Sequence, residues 1–126
     1  PCTTQVDRLP SHTANAATDF MLRNAVAEGK IKIVFGSRAN DTEYLRQPTI
    51  SPLYGDFSGL PPVLFSASDT EVLLDDSKML CEKLEKQGHR AMLDIRHGCC
   101  HAFQVFTAMP EARQALDVIF RTLEVC

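Results

Sequence analysis

The stretch Gly59–His97, GLPPVLFSASDTEVLLDDSKMLCEKLEKQGHRAMLDIRH, decides the fold. Gly59-Leu60-Pro61-Pro62 stops whatever precedes it, because proline fixes φ and withholds a backbone N–H. The run PVLFSAS that follows is short and continuously apolar, which predicts a strand over about 61–67, buried on both faces. In EVLLDDSKMLCEKLEKQG the period changes, and Leu73, Ser77, Leu80, Cys81 and Leu84 share one helical stripe, predicting a helix over 71–87. Asp75 and Asp76 come early and Lys83 and Lys86 late, the order that the helix dipole favours. Gly88 ends the helix, and HRAMLDIRH alternates Ala91, Leu93 and Ile95 with polar neighbours, predicting a second strand over 90–97. Two strands joined by a crossover helix must run parallel, with a right-handed connection. The fold class is therefore α/β.

Downstream, PEARQALDVIFRTLEV opens with Pro110 at a permitted first-turn position and puts Ala112, Ala115, Leu116, Ile119 and Leu123 on one face. A helix over 110–125, packed back on the sheet, is expected. Upstream the pattern is weaker. Residues 1–18 read as loop, with a helix cap at Thr18 or Asp19. Phe20 to about Val34 favours helix before IKIVF turns strand-like, and Gly36–Pro52 is a polar surface segment in which Asp41 or Thr42 caps a short turn. The chain thus divides into a lead-in, 1–50, and an α/β unit, 51–126, together one domain or part of one.

A net charge of −3 without any Lys/Arg cluster argues against nucleic acid or an anionic membrane as partner. No apolar run approaches the roughly 18 residues of a membrane-spanning helix, so no stable membrane insertion is expected. The five cysteines form no repeated spacing, which disfavours a disulfide framework and points to free thiols in a reducing compartment, the cytoplasm. The sequence begins at Pro1 without an initiating Met and runs into Pro- and Thr-rich coil, as a truncated or processed chain would.

Reactive groups in an open parallel sheet gather where the chain leaves the carboxyl ends of the strands. Two exits carry them here: SASDTEVLLDD with Asp69, Glu71, Asp75 and Asp76, and HGCCHAF with His97, Cys99, Cys100 and His101. Adjacent parallel strands lie about 4.8 Å apart, so an acid of the first exit can reach a histidine of the second. Such a pair is the acid and base of a catalytic triad, the carboxylate fixing the imidazole tautomer while the imidazole takes a proton from a serine. A bland role competes at each position. An acid ahead of a helix is often only a cap, which suits Asp69, and His12 and His89 read as partly exposed polar residues. His97, Cys99, Cys100 and His101 are all zinc-ligand types, but adjacent cysteines do not easily point at one ion, so no metal and no cofactor is expected. A cysteine nucleophile beside His101 is the weaker reading, because sequence neighbours rarely face each other.

SPLYGDFSGLPPVLFSASDTEVLLDDS followed by GCCHAF resembles the C-terminal third of hormone-sensitive-lipase-type α/β-hydrolases, over about Ser51 to Val125. TANAATDFMLRNAV is more loosely similar to the segment leading to that family's last strands. The resemblance implies a carboxylic-ester hydrolase with a small acyl-ester substrate. In the family the triad acid sits just ahead of a Leu and an acid pair, with the base about thirty residues on in an H-x-F setting. By that pattern Glu71 is the catalytic acid and His101 the catalytic base, with Asp69 a lesser candidate. The family's HGGG-type oxyanion loop and G-x-S-x-G elbow do not occur in these 126 residues. The expectation is a fragment or relic whose nucleophile would lie before Pro1. Family members often dimerise through the last strand and helix, here 90–97 and 110–125. The rival readings are a non-catalytic α/β association module and an oligopeptidase-like serine hydrolase.

Overall fold

A computed structural model describes residues 9–22 and 33–124. Its elements are helix α1 (Pro10–Ala14), helix α2 (Thr42–Leu45), strand β1 (Val63–Ser68), helix α3 (Leu74–Lys86), strand β2 (Ala91–Arg96) and helix α4 (Pro110–Glu124). Short 3-10 turns lie at Gly36–Arg38, Pro52–Tyr54 and Phe103–Val105. Strands β1 and β2 pair in parallel, from Val63 opposite Ala91 to Ser68 opposite Arg96, with α3 as the crossover. The expected βαβ unit is present.

Strand β1 departs from expectation in its burial. Only Ala67 and Ser68 are buried, and Val63 to Ser66 are half-covered. Among the described residues β1 has one partner strand, so cover is complete only at its carboxyl end, where the loops converge. Helix α4 shows the same effect. Ala112 and Ala115 are sealed against Cys99, Cys100, Phe103 and Met109, whereas Leu123, expected on the packed face, is 66% exposed. Among the described residues the two strands cover the last turn of the helix only in part, at Thr122.

Helix α3 starts at Leu74 rather than 71, after turns that carry Glu71 back over the strand end. Its first turn is capped from a distant segment. Ser11 Oγ accepts from Asp75 N at 3.1 Å while Asp75 Oδ2 accepts from Ser11 N at 2.8 Å, satisfying one of the N–H groups that a helix start leaves unpaired. At the other end Gly88, with φ +82°, lets its own N–H reach Glu85 O and that of His89 reach Leu84 O, closing the helix by a Schellman motif. Late in the helix Lys83 donates to the carbonyls of Leu53 and Gly55 at 2.5 and 2.7 Å, anchoring the 52–54 turn.

The lead-in is more ordered than its composition suggests. Pro10–Ala14 is helical, with Pro10 in the first turn and Leu9 N donating to His12 Nδ1 at 3.2 Å. His12 is not a partly exposed residue. It is buried, and its Nε2 donates to Asp76 Oδ2 at 2.6 Å. Asp41 caps α2 as expected, accepting from Tyr44 N at 3.0 Å. Of the helix expected over 20–34, residues 20–22 form turns, 23–32 lie outside the described residues, and 33–35 are helical where IKIVF reads as strand-like. No helix among the described residues is long and apolar enough to cross a membrane.

Candidate active site

Strand β1 ends at Ser68, and the turn beyond it folds Glu71 back onto the strand. Glu71 N donates to Ser68 O at 3.3 Å, and Glu71 Oε2 accepts from Ser68 N at 3.0 Å. Those two bonds fix the carboxylate, which is almost fully buried. Its other oxygen, Oε1, lies 3.2 Å from His101 Nδ1. An ionised carboxylate only accepts, so Nδ1 carries the proton and Nε2 keeps a lone pair. Such an arrangement can orient an imidazole so that Nε2 takes up a proton.

His101 reaches this position through a loop bent at both ends. Gly98 has φ +70°, and Ala102, immediately after the histidine, has φ +57°, a left-handed backbone that costs a non-glycine residue about 1–2 kcal/mol. The anchors are apolar. Cys99, Cys100 and Phe103 are buried in the cluster with Ala112 and Ala115, and the His101 ring remains about one-third exposed. The hydrogen bond that His101 donates to Glu71 holds the imidazole above its ordinary pKa of 6.5; burial works against this, and the negative charges of Glu71 and Asp19 reinforce it.

Several polar residues absent from the motif reading join the two loops. Thr70 Oγ1 donates to Cys99 O at 2.7 Å, and Ser68 Oγ accepts from Cys99 N at 3.0 Å. The lead-in lies over the acid turn as a polar strap: Asn15 Nδ2 donates to Asp69 O and Glu71 O, and Thr18 Oγ1 to Thr70 O. Asp19 accepts from Met21 N and Leu22 N in the manner of a cap, and also from Val72 N and His101 N. Only the cap was legible in sequence. The remaining partners are 53 and 82 residues away, and no local pattern announces them.

The other candidates go elsewhere. Asp69 accepts from Gly98 N at 2.8 Å and pairs with the exposed His97. The Gly98 N–H is the main cause that holds its carboxyl below 3.8; slight burial opposes this, and His97 adds to the lowering. Asp75 and Asp76 face Ser11 and His12. Cys99 and Cys100 turn into the core while His97 points outward, so these residues do not converge on an ion, and no group of three or more potential ligands occurs among the described residues. Burial also pushes both thiols above 9.0, which keeps them protonated and poorly nucleophilic. A cleft of about 340 Å³ among Pro62, Val63, Met92, Val118 and Thr122 lies at the amino ends of the strands, far from His101.

Residues 1–105 match the model of an alpha/beta hydrolase fold family. An esterase of Acinetobacter venetianus is 44% identical over 70 residues, covering 55% of this chain and 23% of the relative. An acetyl-hydrolase of Streptomyces hygroscopicus is 34% identical over 74 residues, covering 58% of this chain and 25% of the relative. The chain spans about a quarter of the length of these curated relatives. Among solved structures, the hormone-sensitive-lipase homologue EstE7 from a metagenome library superposes with a TM-score of 0.79 at 27% identity, over 98% of this chain and 41% of that one. EstE5, in a crystal soaked with p-nitrophenyl butyrate, does so with 0.68 at 30% identity, over 85% of this chain and 34% of that one.

Proposed function

Because the chain belongs to the alpha/beta-hydrolase fold family, on its hormone-sensitive-lipase-type side, we propose that it supplies the acid and the base of a carboxylic-ester hydrolase. The observation that carries this reading is the 3.2 Å approach of Glu71 Oε1 to His101 Nδ1 at the carboxyl ends of parallel strands. In the reaction His101 Nε2 takes the proton of a serine hydroxyl as the serine oxygen attacks the acyl carbon. Glu71 stabilises the imidazolium and keeps the ring in place. His101 then returns the proton to the departing alcohol, and water repeats the cycle on the acyl-enzyme. The substrate is a small acyl ester.

Neither G-x-S-x-G nor an HGGG-type loop occurs in the 126 residues, and on this reading the nucleophile and oxyanion donors are not supplied by them. The purified chain is accordingly expected to leave p-nitrophenyl butyrate unhydrolysed. Turnover by the chain alone that disappears in His101→Ala would place the nucleophile within it and overturn this division. When the chain is joined behind the elbow-bearing segment of a full-length relative, hydrolysis should appear and should require both Glu71 and His101. The free thiols Cys81, Cys99 and Cys100 support a reducing, cytoplasmic setting.

Self-association through the last strand and helix is a second reading, favoured by the exposure of Met92 and Ile95 on β2 and of Phe120 and Leu123 on α4. Sedimentation or light scattering that finds a monomer at all concentrations would eliminate it.

A further inference from the structure

Asp19 is the most thoroughly enclosed carboxylate beside the site, fully buried and bonded to backbone alone in every contact it shows. Oδ1 accepts from Met21 N at 3.1 Å, Leu22 N at 3.3 Å and His101 N at 3.2 Å, and Oδ2 accepts from Val72 N at 2.9 Å. A buried charge is costly unless its lone pairs are satisfied, and these four N–H groups do satisfy them. Their origin is informative. Val72 directly follows Glu71, and the His101 N–H belongs to the base itself. One carboxylate, from a third segment of chain, therefore grips the backbone of both partners. The bonds through Thr70 and Ser68 also join the two loops, but they hold Cys99, two residues short of the histidine.

We propose that Asp19 is a positioning residue, whose buried carboxylate holds the backbone N–H groups of Val72 and His101 together and so sets the separation and orientation of the Glu71 and His101 side chains. The proposal rests on reading Glu71 and His101 as acid and base. It assigns Asp19 no contact with substrate. Among the described residues, the charged groups that bear on the imidazole are Glu71, bonded to Nδ1, and Asp19, bonded to the backbone beneath it. Removing the Asp19 charge therefore changes the ring in two ways: the Nδ1 bond loses its alignment, and a nearby negative charge disappears.

The test is a nuclear magnetic resonance titration of the histidine rings in the 126-residue chain and in Asp19→Asn and Glu71→Gln variants, with His89 as internal control. Glu71→Gln should lower the His101 midpoint most. Asp19→Asn, which keeps the shape but not the charge, should lower it by a smaller amount, weaken the Nδ1–H resonance and leave His89 in place. If Glu71→Gln moves His101 but Asp19→Asn leaves midpoint and resonance unchanged, the Asp19 proposal is wrong and the dyad stands. If Glu71→Gln itself leaves His101 unmoved, the acid-and-base reading fails first. Should Asp19→Asn not fold, hydrogen exchange in the unaltered chain decides. The amides of Val72 and His101 should exchange at least as slowly as that of Asp69, which donates to Arg96 O, and rapid exchange at either would overturn the proposal.

Discussion

Asp69 and Glu71 stand two residues apart in one turn, yet their carboxylates grip different parts of the histidine loop: Asp69 Oδ1 lies 2.8 Å from Gly98 N, and Glu71 Oε1 lies 3.2 Å from His101 Nδ1. The first bond shapes the loop and the second orients the ring. Their loss should therefore be felt differently. In the hydrolase reconstituted with a nucleophile-bearing segment, Glu71→Gln is expected to lower kcat by roughly 10³–10⁴-fold, the scale on which a triad base loses its tautomer. Asp69→Ala is expected to cost about 1 kcal/mol of stability through the lost bond to Gly98, with a much smaller effect on kcat. Steady-state kinetics beside urea denaturation separates the two, and equal losses of kcat would contradict the division.

The fold was legible because its signals are periodic. The switch from PVLFSAS to the helical stripe through Leu80 and Leu84, and the stop at Gly88, are local features that tertiary context did not override. Burial was less legible, since the cover over Val63 and Leu123 depends on neighbours in space rather than on pattern. Glu71 and His101 emerged by family resemblance; the chemistry of the two exits alone left four acids open. His12 and Asp19 were hidden for a different reason. Each is a lone polar residue in an aperiodic segment, and its significance lies in partners more than fifty residues away.

Stability should depend on pH through both loop pairs, in opposite directions. The folded state raises the pKa of His101 above 6.5, so it favours the protonated ring; this contribution is complete below 6.5 and is lost as pH rises through the higher folded value. The folded state lowers the pKa of Asp69 below 3.8, so its contribution is complete above 3.8 and is lost as pH falls through the lower folded value. Urea midpoints measured across the range should decline at both ends. Glu71→Gln should flatten the decline at the alkaline end.

The buried contact of His12 Nε2 with Asp76 Oδ2 at 2.6 Å fastens α1 to the start of α3. His12 Nδ1 is already occupied by Leu9 N, so the ring is held at both nitrogens. His12→Ala leaves the Asp76 carboxyl buried without this donor, and loss of a hydrogen bond to a charged group typically costs about 1.5–3 kcal/mol. His12→Ala should therefore shift the urea midpoint far more than His89→Ala, at a half-exposed position. A double-mutant cycle with Asp76→Asn should show strong coupling, and additive losses would mean that the pair is not the fastening.

Ala102 supplies the last test, because its left-handed backbone, φ +57° and ψ 28°, lies directly after His101. The strain persists because Phe103, fully buried, and the core cysteines fix the chain on either side. Glycine adopts this conformation without steric penalty, although it gives the unfolded chain more freedom. The two effects partly offset, leaving Ala102→Gly more stable by about 0.5–1 kcal/mol, whereas Ala102→Val, branched at Cβ, should be less stable than the parent by more than that. Urea denaturation of the three proteins orders them, and a valine variant as stable as the parent would show that the backbone at 102 is free to leave the left-handed region. In that case the loop would not fix the His101 ring against Glu71, and the 3.2 Å contact would owe its geometry to the side chains alone.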